Sequence, residues 1–438
     1  MNRFQLPKDF LFGTATASLQ IEGGDTNNNW YRFCEQNKTK DGTHCIVAAD
    51  HWNKYEEDID LMKQLHQDTY RMSVEWSRIE PERGRFDEAA LDHYRTEISL
   101  LLEKGIHPLV TLHHFSNPIW FEDMGGWANQ DAVLWFDMFV RKVVYTLGDL
   151  VEDWVTINEP NVYLEGTYSA GNYPPNKPNF INYFKGAKNM ISAHIRAYKT
   201  IHEIRREQGY SKKTMVGVAH HLRVFDTATR STGGKVAANM MDHVFHHIFL
   251  EGMTYGKFVF PIGHGHYPYG EKTFCDFMGI NYYSRDIVRF SWNPLRLFGE
   301  LTVKDGTATN DLGWEIYPDG LYKVCKRCWE YYPFPIYITE NGICDKDDKQ
   351  RGKFIYDHLK VIKQLIDEGV PVERYYHWSL IDNFEWDEGL GPKFGLIEVN
   401  YDTQKRTIRK SGKFYGEVSE AGAVTDDIIS KYSFLQEP

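Results

Sequence analysis

Eight short runs of nearly continuous apolar and β-branched residues recur along the chain: FLFGTAT near residue 10, DTYRMSV near 68, HPLVTLHH near 107, EDWVTIN near 152, TMVGVAHH near 214, DFMGINYY near 276, FPIYITEN near 334 and RYYHWSL near 374. A strand covered on both faces reads this way, without the strict polar alternation of a half-exposed one. Between them, segments such as YEEDIDLMKQLH and DEAALDHYRTEISLLLEKGI place apolar residues three and four apart, the spacing of a helix with one buried face. No Ser/Gly linker, low-complexity tract or charge block divides the chain. The alternation predicts an α/β protein built as one (β/α)₈ TIM barrel with long βα loops, a single domain over residues 1–438. Two doubly wound sheets fit less well, because GTATASLQIEGG after the first run lacks the glycine spacing of a phosphate turn.

In such barrels the working side chains gather at the C-terminal ends of the strands. Polar residues stand at those ends here: Gln20 and Glu22, Arg71, His113 and His114, Asn158 and Glu159, Asn281 and Tyr283, Glu340 and Asn341, and Trp378. Only the fifth run supplies none by this reading. Two of these residues are carboxylates placed just past buried strands, Glu159 in DWVTINEPN and Glu340 in PIYITENG. Paired carboxylates serve either metal binding or glycoside cleavage by an acid and a nucleophile or base. Their neighbours are amides, aromatics and an arginine rather than further metal ligands, which favours the second.

Composition narrows the partners. A formal net charge of -11 argues against a nucleic-acid groove or an anionic membrane surface. MNRFQLPKDFLFGTATAS has no basic head, apolar run and cleavage site, and no later segment is long and apolar enough to span a bilayer, so a cytoplasmic protein is expected. The 6 cysteines are sparse; Cys325 and Cys328 form a C-x-x-C inside a helical pattern with no second pair at zinc-ligand spacing, and neither metal nor cofactor is expected. The sequon at Asn37 carries little weight without a secretion signal. Aromatic residues make up 15% of the chain, enough to fill a core and also to stack on sugar faces.

Eight motifs in order, FLFGTATASLQIEG, YRMSVEWSRIEP, TLHHF, TINEP, MGINYYSR, GWEIYPDGL, YITENG and HWSLIDNFEW, resemble those of family 1 glycoside hydrolases, the β-glucosidase and β-galactosidase family. The resemblance implies a retaining exo-β-glycosidase that releases terminal β-D-glucosyl, and also β-D-galactosyl or β-D-fucosyl, residues from small β-glycosides and short oligosaccharides. It implies that Glu159 is the general acid/base and Glu340 the nucleophile, with Arg71, Tyr283 and Asn281 supporting the nucleophile. Retaining enzymes hold the two carboxyls about 5 to 5.5 Å apart. Arg71 and Tyr283 are expected to keep Glu340 ionised, while Glu159, with no charged neighbour in sequence, stays protonated for the leaving group.

The same resemblance assigns Gln20, His114, Asn158, Trp378, Glu385 and Trp386 to the sugar pocket and Trp314 to the aglycone side. Leu19, Phe115 and Glu75 depart from the family's commonest pattern, which leaves glucose, galactose and fucose undecided. A 6-phospho-β-glycosidase is the nearest alternative. It is disfavoured because Glu385 is kept beside Asp387 and Glu388, Phe394 stands where a phosphate-binding tyrosine would fall, and Lys393 alone faces three carboxylates. A catalytically silent sugar-binding barrel is the alternative from another class, and the balance of hydrolysis against transfer to a second sugar lies with the acceptor-side loops.

Overall fold

The computed structural model describes residues 2–210, 213–227 and 232–435. All eight apolar runs are strands of one closed parallel barrel: β1 (Leu11–Ala15), β2 (Thr69–Ser73), β3 (His107–His113), β4 (Asp153–Asn158), β5 (Met215–His221), β6 (Phe277–Asn281), β7 (Ile336–Asn341) and β8 (Val372–Trp378). Each pairs in parallel with the next in chain order, and β8 closes on β1 through Arg374 opposite Leu11 and Trp378 opposite Ala15. Every residue of β2, β4, β6 and β7 is buried, which is why these runs show no alternation.

One principal helix follows each strand: α1 (His51–Gln64), α2 (Glu88–Glu103), α3 (Ala132–Leu147), α4 (Phe180–Glu207), α5 (Ile248–Tyr255), α6 (Pro318–Tyr331), α7 (Arg351–Asp367) and α8 (Lys410–Ala421). α3 shows how the pattern makes the fold. Its Trp135, Phe136, Phe139, Val140, Val143, Val144 and Leu147 recur at helical spacing and are all buried.

The βα loops on the C-terminal side are elaborated. A small sheet of Val224–Thr227, Arg285–Phe290 and Gly299–Thr302 joins the loops after β5 and β6, and an antiparallel hairpin, Ile397–Asn400 with Lys405–Ile408, follows β8. No helix among the described residues is long and apolar enough to cross a membrane.

Candidate active site

Local sequence explains how each carboxylate leaves its strand. After Asn158 the chain must turn, and Pro160, which cannot extend a ladder, sits at the first position of the short helix Pro160–Leu164. Glu159 between them has φ 40° and ψ 58°, a left-handed conformation that non-glycine residues adopt only when their surroundings hold them there. Its backbone N–H is anchored to the Ala219 carbonyl of β5 at 2.8 Å. At the end of β7, the glycine of ITENG has a steric reason: a Cβ on Gly342 would lie 1.8 Å from the Trp378 carbonyl oxygen. Close approach of the two chains at this point keeps Glu340 and Trp378 on one rim.

One hydrogen-bonded network links the two carboxylates. Arg71 of β2 donates from Nη1 to Glu340 Oε1 at 2.5 Å and from Nη2 to Asn158 Oδ1 at 2.6 Å. Asn281 Nδ2 donates to the same Asn158 oxygen at 3.0 Å and to Glu159 Oε1 at 2.8 Å, and its own Oδ1 accepts from Thr339 at 2.6 Å. The Tyr283 hydroxyl donates to Glu340 Oε2 at 2.6 Å. Both oxygens of Glu340 therefore receive a donor, the arrangement that stabilises a carboxylate. Asn281 stands beside Glu340, its partner in the register of β6 and β7, while its side chain reaches Glu159.

A departure concerns β5, which the sequence reading left without a rim residue. His221, its last residue, lies 2.9 Å from Glu159 Oε1 through Nδ1 and stacks on the Tyr283 ring with centroids 5.8 Å apart. It thus touches Glu159 with one edge and, with its face, the tyrosine that donates to Glu340. VAHH held the signal, but two adjacent histidines at a strand end do not reveal which one points inward. The same strand sends His220 into the interior, where burial pushes its imidazole down to about 3 and keeps it neutral.

The ionisation order differs from the expected one for the same reason. Burial pushes the Glu159 carboxyl up, but His221, the Asn281 amide and Arg71 outweigh it, and the net displacement is below the ordinary glutamate value. Burial lifts Glu340 to about 7; Arg71 and Tyr283 pull against it, while the nearby Glu159 charge adds to the rise. Two interacting carboxyls in one site lose their protons as a pair. At neutral pH this pair is poised to hold one proton, and both Glu159 bonds fall on Oε1, leaving Oε2 as its open oxygen.

The residues expected in the sugar pocket converge on the same rim. His114 lies between two indoles, its ring centroid 5.8 Å from Trp378 and 5.9 Å from Trp386. Its Nε2 accepts from Asn158 Nδ2 at 2.9 Å, so the proton is on Nδ1, a buried donor with no protein partner. Gln20 donates from Nε2 to the Phe384 carbonyl at 2.8 Å and to Asn383 Oδ1 at 3.0 Å, and leaves Oε1 as a buried acceptor with no protein partner. An unmatched donor and an unmatched acceptor in one mouth are what a polyhydroxylated ligand satisfies.

Burial and the adjacent Glu340 raise Glu385 to about 8, and Gln20 Nε2 reaches its Oε2 at 3.4 Å. Trp386 at φ 51° and Phe115 at φ 69° share the left-handed backbone of Glu159 at this mouth. Trp314, 38% exposed, stands edge-on to Tyr283 at 5.8 Å, on the outer side of the nucleophile.

Some polar rim residues turn elsewhere. Glu22 pairs with Arg78 at 2.8 Å, His113 bonds Asn117 and Trp127, and Asn341 ties the Tyr282 carbonyl to the Tyr375 hydroxyl. Glu75 is buried and accepts from Ser18, Ser77 and Ser116, lashing together the segments that carry Gln20 and His114. Lys393 donates to the Leu390 carbonyl at 2.8 Å and lies 4.2 Å over the Tyr401 ring, while Phe394 packs against Trp314.

The model of glycosyl hydrolase family 1 matches residues 2–423. Beta-glucosidase A of Thermotoga maritima is 34% identical across 97% of this chain and all of its own length. Among solved structures, a beta-glycosidase from Pyrococcus horikoshii superposes with a TM-score of 0.91 at 38% identity, covering 98% of both chains. A beta-glucosidase from Thermotoga maritima in complex with glucoimidazole superposes at 0.88 with 33% identity, covering 95% of this chain and 99% of that one. With the family's model spanning the barrel and a carboxylate pair at its mouth, this chain belongs to glycosyl hydrolase family 1 and is a glycosidase.

Proposed function

We propose that the protein is a retaining exo-β-glucosidase in which Glu340 is the nucleophile and Glu159 the acid/base. The observation that carries this reading is the asymmetry of the pair: Glu340 is fixed through both oxygens by Arg71 and Tyr283, and Glu159 through one. A group that attacks must be held in a single orientation; a group that delivers and recovers a proton needs an open oxygen. In the first step a Glu340 oxygen forms a bond to the anomeric carbon as the glycosidic C–O bond breaks, and the leaving oxygen takes the proton from Glu159. Esterification removes the Glu340 charge, and Glu159, now the base, takes a proton from the water that attacks the same carbon as the Glu340–carbon bond breaks and frees the carboxylate.

Only one proton is needed for this cycle, and the coupled pair supplies it. Substrate displaces solvent from the mouth and brings the leaving oxygen to the acid/base, so the proton shared by the pair is drawn to Glu159 Oε2 as Glu340, with its two donors, takes the negative charge. Gln20, His114, Asn158, Glu385 and Trp386 bind hydroxyls of the sugar, Trp378 stacks on its face, and Trp314 meets the aglycone. Relatives named beta-glucosidase support glucose as the sugar, and galactose and fucose are the proposed side activities. Engagement of Lys393 by Leu390 and Tyr401 disfavours a 6-phosphate. The acidic surface favours small neutral glycosides over nucleic acid, and six unpaired cysteines suit the cytoplasm.

The test is a steady-state comparison of p-nitrophenyl β-glucoside, β-galactoside, β-fucoside and β-glucoside 6-phosphate, with the anomer of the first-formed sugar read by NMR. Fastest turnover of the glucoside with release of the β-anomer is expected. Release of the α-anomer, turnover of the 6-phosphate alone, or silence on all four would each overturn the reading.

A further inference from the structure

Away from the catalytic mouth, the end of helix Asn29–Glu35 meets the far end of the loop that follows it. Cys34 and Cys45, both buried, bring their sulfurs to 3.8 Å, and one ligand atom of each and of His44 lie within 4.8 Å of one another. We infer that Cys34, His44 and Cys45 form a site for a thiophilic divalent cation of the zinc class. Two thiolates each about 2.3 Å from a tetrahedral ion are separated by about 3.8 Å, which is the distance the fold already imposes. A disulfide would require the sulfurs to close to about 2.05 Å.

The histidine is prepared for the role. Its Nε2 lies 3.2 Å from Glu35 Oε1 and its Nδ1 accepts the Ile46 N–H at 3.0 Å, a pairing that puts the proton on Nε2 and the lone pair on Nδ1. A carboxylate on the distal nitrogen is the usual support of a metal-bound imidazole. Binding exchanges the Ile46 N–H for the cation, releases two thiol protons to solvent, and leaves a fourth position for water. His44 is partly exposed, which gives an ion an entry path.

The site closes the loop over residues 35–44, and that loop braces the sugar pocket. Lys40 N–H donates to the Asp387 carbonyl at 2.7 Å, Thr43 Oγ1 accepts the Leu390 N–H at 2.8 Å, and Asp41 accepts the Gly391 N–H at 2.9 Å. A search for paired ligands at short spacing passes over this cluster, because one thiolate ends a helix and the other two ligands end a loop.

The experiment uses the full chain, reduced and stripped with a chelator, titrated with Co²⁺ alone while sulfur-to-cobalt charge-transfer absorption is followed. Saturation at one equivalent is expected, with displacement by Zn²⁺ and protection of two thiols from a thiol reagent. His44→Ala, at a partly exposed position, should weaken binding at least about tenfold. Cys34→Ser should abolish the charge-transfer band. Binding without that band, binding that survives Cys34→Ser, unchanged affinity in His44→Ala, or two thiols of the native chain already joined as a disulfide would overturn the proposal.

Discussion

The barrel carries an arginine–carboxylate pair at each end, partly buried at the N-terminal end and fully buried at the C-terminal end. At the N-terminal end Arg374, in β8, meets Asp153, the first residue of β4, at 2.5 Å; at the C-terminal end Arg71 of β2 meets Glu340 of β7 at the same distance. Burial raises the carboxyl in both pairs and the arginine pulls it back. What differs is the surroundings. Arg374 also lies 4.3 Å over the Tyr337 ring, and at Asp153 the push of the neighbouring Glu152 is smaller than the pull of Arg374. At the other end one guanidinium serves a mouth that also holds Glu159 and Glu385, both of which figure in its electrostatics. An arginine–carboxylate pair is therefore no sign of catalysis by itself. The surplus of carboxylates over cations is, because it keeps a proton in the site at neutral pH.

That contrast breaks most sharply at Glu340. Glu340→Ala should lower kcat by about 10⁴-fold or more, with azide restoring turnover and giving the α-glycosyl azide, read by NMR. Glu159→Ala should lower kcat/KM by about 10²- to 10⁴-fold for glycosides with poor leaving groups and far less for activated aryl glycosides; equal losses on the two would count against its acid role. At the opposite end, Asp153→Ala should leave kcat nearly unchanged but cost about 3 kcal/mol of stability in urea unfolding, because it strands the Arg374 charge.

The finest distinction is at His221. Its imidazole helps hold the Glu159 carboxyl below the ordinary value. In His221→Asn that pull is lost and the Glu159 pKa rises, so the acid form persists to higher pH. The alkaline limb of the kcat/KM profile should move upward, and a limb that stays in place would show that His221 does not tune the acid/base.

Much of this was legible before folding. The eight strands announce themselves because each is buried on both faces, and Glu159 and Glu340 because a carboxylate directly after such a run, followed by Pro160 in one case and Gly342 near the other, is a local pattern. The placing of Gln20, His114 and Trp378 at the barrel mouth also follows from motifs a few residues long. His221 was not legible, since a strand's sequence does not say which of its last two histidines faces the axis. Nor was the placement of Asn281 on Glu159, across 122 positions of sequence.

The sequence alone thus determined the barrel and its family and singled out the two strand-end carboxylates, because hydrophobic period and strand-end chemistry are written in neighbouring residues. The tertiary structure decided which side chains meet them, which carboxyl ionises first, and that two thiols and an imidazole share one corner of a loop. Those properties depend on distances between residues far apart in the chain, and electrostatic energy follows distance and burial rather than order along the sequence.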